Sequence, residues 1–448
     1  MKLLKFVFRL LAWLGIVWPI VVVYSRVIKK TKSEYIGDNR PVILFLSYER
    51  LQKDIQILDD TEEFCVLRIP FIWQKSILNQ FYPKGTTRAQ IFNPENSVNV
   101  AKAQNKLHVF MRRFLTSLYR KLGVKCVVSP GLYYHQDLDW GKISDELGFP
   151  FILIPRENYG AESANHERYK RLLRHRISFS GSRIICQSEP FRDLFIKHGI
   201  VDPEKIVALG CLRMDAFIEN VKSYQKTLGK RKNVLLFSLS HGTSLIGHPD
   251  QALYFDNPHW TRKSDIGWVK LFESVHSAFA RLAIERPDVD FIIKPKWLGR
   301  WKEEIEKAVA KRGINLSKIS NIFFTEEEAH TLILDSDVVC SFGSNTIVEA
   351  GFARKPVIIP MYYEANRRDY TEYIHFHNYY HIFDIAESEE AFVNLIVEKL
   401  SNPSVDNELM KEREALFKYT FVSTKPDAAI KYTKVIKDVI RRNYVLTS

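Results

Sequence analysis

The chain has 448 residues, enough at roughly 100 to 200 residues per domain for two or three domains, which excludes a single small binding module. Hydrophobic residues at 46% and charged residues at 26% are ordinary globular values and exclude disordered, collagen-like and mucin-like chains. The net charge is +13, but seven cations and no acid fall within residues 1–32, so the rest carries only +6, too diffuse for a nucleic-acid-binding face.

Residues 10–24 are uncharged and mostly apolar, with Trp13, Trp18 and Tyr24 as interfacial aromatics and basic residues on both flanks. A spanning helix needs about 20 apolar residues, and Pro19 is expected to kink a helix already short. The following VVVYSRVIKK has no small-x-small site, which argues against a cleaved signal peptide. Residues 1–32 are therefore read as a membrane-associating segment, monotopic or single-pass, at the cytoplasmic side of the cell inner membrane, where an anionic lipid surface is the partner. A buried core helix is disfavoured because a core has no use for seven cations.

From about residue 40, apolar runs of four to seven residues alternate with amphipathic stretches, the pattern of βαβ units around a parallel sheet. Strands are expected at 42–47, 64–69, 125–129, 151–154, 183–187 and 206–210, with helices near 103–122, 140–147 and 190–198. Residues 217–231 hold few strong apolar positions and read as a linker. The pattern restarts with strands at 233–239, 290–294, 321–324, 337–341 and 356–360, and helices near 268–285, 301–312, 327–334, 345–353, 390–400 and 427–442. The expected fold is α/β, two tandem Rossmann-like doubly wound domains: 33–220, 221–426 and a C-terminal helix within 427–448. Five dispersed cysteines with no CxxC pair indicate buried thiols in a reducing compartment.

In such sheets ligands bind beyond the carboxyl ends of the strands. The strongest local signal is residues 335–360, DSDVVCSFGSNTIVEAGFARKPVIIP, in which an apolar strand ends at Ser341, a small polar loop follows, and a helix opens with Ser344 or Asn345 as N-cap. Free N–H groups and the positive end of that helix suit a diphosphate, and Glu349, one turn in, suits a ribose hydroxyl.

Together with residues 123–158 and 185–215, the latter ending in GCLRMD, this segment resembles GT-B glycosyltransferases of bacterial surface-polysaccharide synthesis, of capsule and teichoic-acid type, over roughly residues 40–430. The resemblance implies a nucleotide-activated donor on the second domain and an acceptor on the first. Gly343, Ser344, Asn345 and Thr346 match the diphosphate turn, and Glu349 matches the ribose-contacting acid. Ser240, His241 and Gly242 match the loop facing the donor phosphates, and Lys294 and Lys296 would neutralise charge on the leaving group. HGT at 241–243 has the letters of a catalytic motif of teichoic-acid polymerases but stands at the start of the second half, so no base role carries over to His241.

For the general base, Asp137, Glu157 and His135 all follow expected strand ends and stay open, Asp137 and Glu157 ahead of His135. DxD letters at 137–139, 288–290 and 335–337 are too frequent to mark a metal site, and His375, His377 and His381 alternate as in a strand or extended wall, so no metal and no cofactor is expected. The expected function is metal-independent transfer of a sugar from a nucleotide-sugar donor to a lipid-linked or polymeric glycan at the membrane. The alternatives are a CDP-polyol phosphotransferase, a nucleotide-sugar 2-epimerase and a silent scaffold of a polysaccharide assembly complex.

Overall fold

The expected apolar runs assemble into two sheets in the computed structural model, which describes all residues except 1–7, 9, 13, 32–38, 133, 157, 159–177, 225–230, 240–266, 297, 372 and 448. The first sheet comprises β1 (Lys29–Lys30), β2 (Val42–Phe45), β3 (Cys65–Arg68), β4 (Val124–Ser129), β5 (Phe151–Leu153), β6 (Arg183–Cys186) and β7 (Ile206–Ala208), in the order β1-β3-β2-β4-β5-β6-β7. All its pairings are parallel except β1 with β3, which sets Lys29 opposite Arg68. The second sheet is wholly parallel: β8 (Asn233–Phe237), β9 (Asp290–Lys294), β10 (Ile322–Phe324), β11 (Val338–Cys340), β12 (Val357–Pro360) and β13 (Asp384–Ala386), in the order β10-β9-β8-β11-β12-β13. Numbered from β8, that is the doubly wound order 3-2-1-4-5-6, whose strand order reverses between β8 and β11. In the first sheet the reversal falls between β2 and β4.

Alternation along the first sheet divides its side chains between two cores. Leu44, Leu67 and Val127 join α1 (Trp18–Val27), α3 (Phe71–Phe81), α4 (Arg88–Phe92), α5 (Val98–Leu122) and α6 (His135–Glu146) on one face. Ile43, Phe45, Val66 and Val128 join α2 (Gln52–Asp60) on the other. That second face is completed from the far end of the chain, because the final helix (Ala428–Thr447) packs Ala428, Tyr432, Ile436 and Ile440 there. Conversely, the helix Met214–Ser223, inside the stretch expected to be a linker, buries Met214, Phe217 and Ile218 in the core of the second sheet. The two ends of the second half thus cross.

GCLRMD is the crossing point. Gly210 has φ 90°, and a Cβ there would lie 2.6 Å from the Phe421 carbonyl oxygen, so the position needs glycine. The Tyr432 hydroxyl donates to the Gly210 carbonyl at 2.8 Å. Asp215 accepts from the N–H groups of Ala428 and Ala429 at 3.0 and 2.8 Å, capping the final helix.

The N-terminal segment differs from expectation. Among the described residues no helix is long and apolar enough to cross a membrane, so the expected anchor has no support in the fold. Pro19 causes no kink, because it stands in the first turn of α1, where its missing N–H costs nothing. Ile20, Val21 and Tyr24 are buried against α3 and α5, and the Tyr24 hydroxyl donates to the Trp73 carbonyl at 2.8 Å. One face of the segment is therefore core, while Leu14, Ile16 and Trp18 remain 53%, 45% and 69% exposed. All five cysteines are buried free thiols.

Candidate functional site

The turn at the second switch point is built around Gly343, whose φ of 58° reverses the chain after β11. Ser341 and Thr346 hydroxyls lie 2.9 Å apart, the Thr346 hydroxyl donates to Ser344 Oγ at 3.1 Å, and the Thr346 N–H reaches the same oxygen at 3.3 Å. The N–H of Gly343 donates to the Tyr380 hydroxyl at 3.3 Å. The turn is thus a pre-formed polar rim, with Ser344, Asn345 and Thr346 half-buried. Neither expected cap has N-cap geometry: Asn345 takes the N-cap place in an αR conformation without a side-chain hydrogen bond, and Ser344 bonds within the turn. The helix that follows, Thr346–Phe352, is only seven residues long, which leaves little macrodipole and shifts the weight to side chains.

Those side chains line the seam between the domains. Glu349 is buried, with its Oε2 3.5 Å from His330 Nε2; the His330 ring stacks on Phe217 at 4.4 Å. His330 Nδ1 lies 3.9 Å from Glu328 Oε1, and Glu328 pairs with Lys53 of the first domain. Although burial opposes it, that Lys53 partner holds the Glu328 carboxyl below its ordinary value. Next to Lys53, Asp54 pairs with Arg213 at 3.5 Å; burial still pushes the Asp54 carboxyl above its ordinary range. Lys53, Glu328, His330 and Glu349 form a chain of polar contacts that crosses the seam. Lys294 ends β9 half-buried and is shifted down by burial, whereas Lys296 is exposed.

At the first switch point, Asp137 is a structural tie. It is wholly buried, and its carboxylate accepts from Ser47 Oγ at 2.8 Å, Ser129 Oγ at 3.0 Å and Gln74 Nε2 at 2.5 Å. These bonds tie the loop after β2, the end of β4 and α3 to α6, and with no exposed surface Asp137 cannot touch a substrate hydroxyl. Burial raises its carboxyl to about 7. Ser47, its partner, has φ 45°, a strained conformation for a non-glycine residue that positions the loop after β2. Asp139, the other acid of the DLD letters, is also buried, bonded to His108 at 2.8 Å and to Tyr82 at 3.1 Å.

His135 opens α6 and is half-buried, with no partner for its buried Nδ1. Burial, then Arg88 and Lys75, push it down to about 4, so it is a neutral imidazole at physiological pH. Glu157, Ser240, His241 and Gly242 lie outside the described residues. The expected wall at 373–383 is instead a 3-10 turn over His377–Ile382. Among the described residues no group of three or more His, Cys, Asp or Glu side chains converges as a metal site would need.

Sequence reasoning passed over Lys53, Arg213 and His330. The available signal for His330 was a lone imidazole in the otherwise apolar AHTLIL; for Lys53 there was none.

No family model matches this chain, and no curated protein matches it. Among solved structures it is similar to a Listeria monocytogenes protein described as a UDP-N-acetylglucosamine 2-epimerase, with 12% identity, 90% of this chain and 97% of that one covered, and a TM-score of 0.49. It is likewise similar to a glycosyltransferase from Rickettsia africae, with 13% identity, 90% and 100% covered, and a TM-score of 0.46. A third is the UDP-GlcNAc 2-epimerase of Neisseria meningitidis bound to UDP-GlcNAc, with 12% identity, 89% and 100% covered, and a TM-score of 0.45. At these values the likenesses carry no argument, and the two-domain, doubly wound class rests on the strand orders.

Proposed function

We propose that this protein is a glycosyltransferase that takes a sugar from a nucleotide-sugar donor and passes it to a hydroxyl of a lipid-linked or polymeric glycan. The observation that carries the reading is that the polar turn 341–346 and the buried Glu349 stand together at the switch point of the second sheet, on a seam where Lys53 and Arg213 of the first domain meet Lys294 of the second. A nucleoside diphosphate needs hydroxyl and N–H donors for its phosphates, a carboxylate for its ribose and fixed positive charge for the departing diphosphate. The turn, Glu349 and Lys294 would supply these in turn, with Ser240, His241, Gly242 and Lys296 completing the donor loop. On the acceptor side, neutral His135 accepts a hydrogen bond from the attacking hydroxyl, and Glu157 remains a base by position alone.

The work would be done at the cytoplasmic face of the inner membrane. Exposed Leu14, Ile16 and Trp18 adjoin the buried Ile20, Val21 and Tyr24 of the same segment, beside a strongly basic stretch of sequence. The products of incubation with UDP-, GDP- and CMP-sugars test the reading. Sugar transferred to a membrane-extract glycan supports it, and interconversion of the nucleotide sugar with no acceptor reassigns the chain to the epimerases. Transfer of a polyol phosphate from a CDP-polyol points to the phosphotransferase. No binding of any nucleotide leaves the scaffold.

A further inference from the structure

We propose that the outer stripe of α5, together with exposed Leu14, Ile16 and Trp18, forms one docking face of the first domain, whose partner is a bilayer rich in anionic phospholipid. The inference rests on the membrane placement in the proposed function and extends it from the N-terminal segment to a helix of the acceptor domain.

The charge of the chain points there first. The +6 outside residues 1–32 is concentrated rather than diffuse: α5 holds Lys102, Lys106, Arg112, Arg113, Arg120 and Lys121 and no acid. The seven cations of residues 1–32 and these six supply the whole net charge of +13, and the rest of the chain is balanced.

Packing joins the two acid-free segments. The Phe8 and Phe110 rings stand 6.4 Å apart and the Tyr24 and Phe114 rings 5.1 Å apart, and a Cβ at Gly15 would lie 3.0 Å from Arg113 Nη1. Lys102, Lys106, Val109, Arg113 and Arg120 are all exposed and recur at spacings of three, four and seven, which sets them on one stripe of α5, opposite the buried Leu107, Met111, Phe114 and Leu118. Leu14 and Ile16, the neighbours of Gly15, are exposed where the segment meets that stripe, and Val109 is 57% exposed in its middle. The acids that reach α5 lie off the stripe: Asp139 is buried on Gln104 and His108, and Glu146 pairs with Arg112. Among the described residues no carboxylate pairs with Lys102, Lys106, Arg113 or Arg120.

Apolar side chains set among unpaired cations favour a bilayer over an aqueous polyanion. A lipid surface takes the charge through its phosphates and the apolar groups at its acyl boundary, whereas nucleic acid would leave Leu14, Ile16 and Val109 in water. Because α5 leads through Gly123 into β4, it runs against the strands, and Lys102 stands toward their carboxyl edge. A lipid-linked acceptor would reach that edge directly from the docked surface.

The test uses the full chain and sedimentation with vesicles of phosphatidylcholine mixed with phosphatidylglycerol, beside vesicles of phosphatidylcholine alone and a random-sequence DNA duplex. The triple variant Lys102→Gln, Lys106→Gln, Arg113→Gln is expected to bind the anionic vesicles about a hundredfold more weakly than wild type, from about a fivefold loss per cation, with melting temperature and UDP affinity unchanged. The charge-keeping triple variant Lys102→Arg, Lys106→Arg, Arg113→Lys is expected to bind as wild type does. A glutamine variant that binds the anionic vesicles as tightly as wild type overturns the role of α5 and leaves the N-terminal segment and the transferase reading in place. Wild type that ignores anionic vesicles overturns the membrane placement and this proposal with it, again without touching the transferase reading. A duplex bound as tightly as the vesicles, and released by the same three substitutions, assigns the face to nucleic acid and overturns the lipid partner.

Discussion

Glu349 and His330 meet with Oε2 and Nε2 3.5 Å apart, deep in the seam between the two sheets. The imidazole is fixed by its stack on Phe217 and so holds one oxygen of the carboxylate in place. Glu349→Gln keeps the shape and removes the charge. Nucleotide affinity is expected to fall about tenfold, the effect of one charge-assisted hydrogen bond of about 1.5 kcal/mol. Titration calorimetry with UDP, GDP and CMP checks it, and an unchanged affinity would withdraw Glu349 from the ribose. His330→Phe keeps the stack and is expected to weaken binding less.

Asp137 gives the fold a pH dependence of defined sign. Its carboxyl titrates at about 7 in the fold, against an ordinary value of 3.8. As pH rises above the ordinary value, the unfolded chain releases this proton while the native state keeps it. The stability contributed by the protonated form therefore falls steadily between about pH 4 and pH 7 and is gone above that. The full span corresponds to roughly 4 kcal/mol at 1.36 kcal/mol per unit. Urea midpoints for Asp137→Asn are expected to vary less over that window than those of wild type; parallel curves would refute the assignment.

Leu14, Ile16 and Trp18 should govern membrane association without governing the fold. Replacing all three by serine removes exposed apolar surface worth about 1 kcal/mol or more per side chain at a bilayer interface, so partition onto anionic vesicles is expected to drop by about a hundredfold. The melting temperature should stay put, because none of the three is buried. Deleting residues 1–32 would be a poorer experiment, since it also removes the core residues Ile20, Val21 and Tyr24. Equal sedimentation of wild type and variant with vesicles would sink the idea.

Asp215 should matter to stability far more than its half-exposed place suggests. Asp215→Ala removes the acceptor of two N–H groups at the start of the final helix, at a cost of about 1 to 2 kcal/mol. Chemical denaturation followed by far-ultraviolet dichroism measures it, and Asp215→Asn should recover part of the loss.

The strands were the most legible part of this chain, because runs such as VILF, KCVVS and DVVCS can be satisfied only in a sheet buried on both faces. The missed strands, Lys29–Lys30 and Asp384–Ala386, are short edge strands without an apolar run. The helix Met214–Ser223 was hidden because its three core residues are set among Asp, Glu, Asn and Lys. At the site, the turn 341–346 was visible as small polar residues between strand and helix, whereas Asp137 was misjudged for the same reason it looked chemical: an acid after a strand end can face the cleft or be enclosed by hydroxyls, and spacing does not separate the two. Lys53, Arg213 and His330 come together only through the apposition of distant segments, which leaves no local trace.

The crossing of the two end helices also sets an order in time. The face formed by Ile43, Phe45, Val66 and Val128 emerges from the ribosome with only α2 against it, and the residues that complete its cover, Ala428 to Ile440, follow only after the whole second sheet has been made. The half synthesised first is thus the half completed last, and a chain stopped near residue 426 would carry an intact second half beside an open first one. Such a product should need a holding chaperone or be degraded, so the helix Ala428–Thr447 acts as a check that the second half has been made.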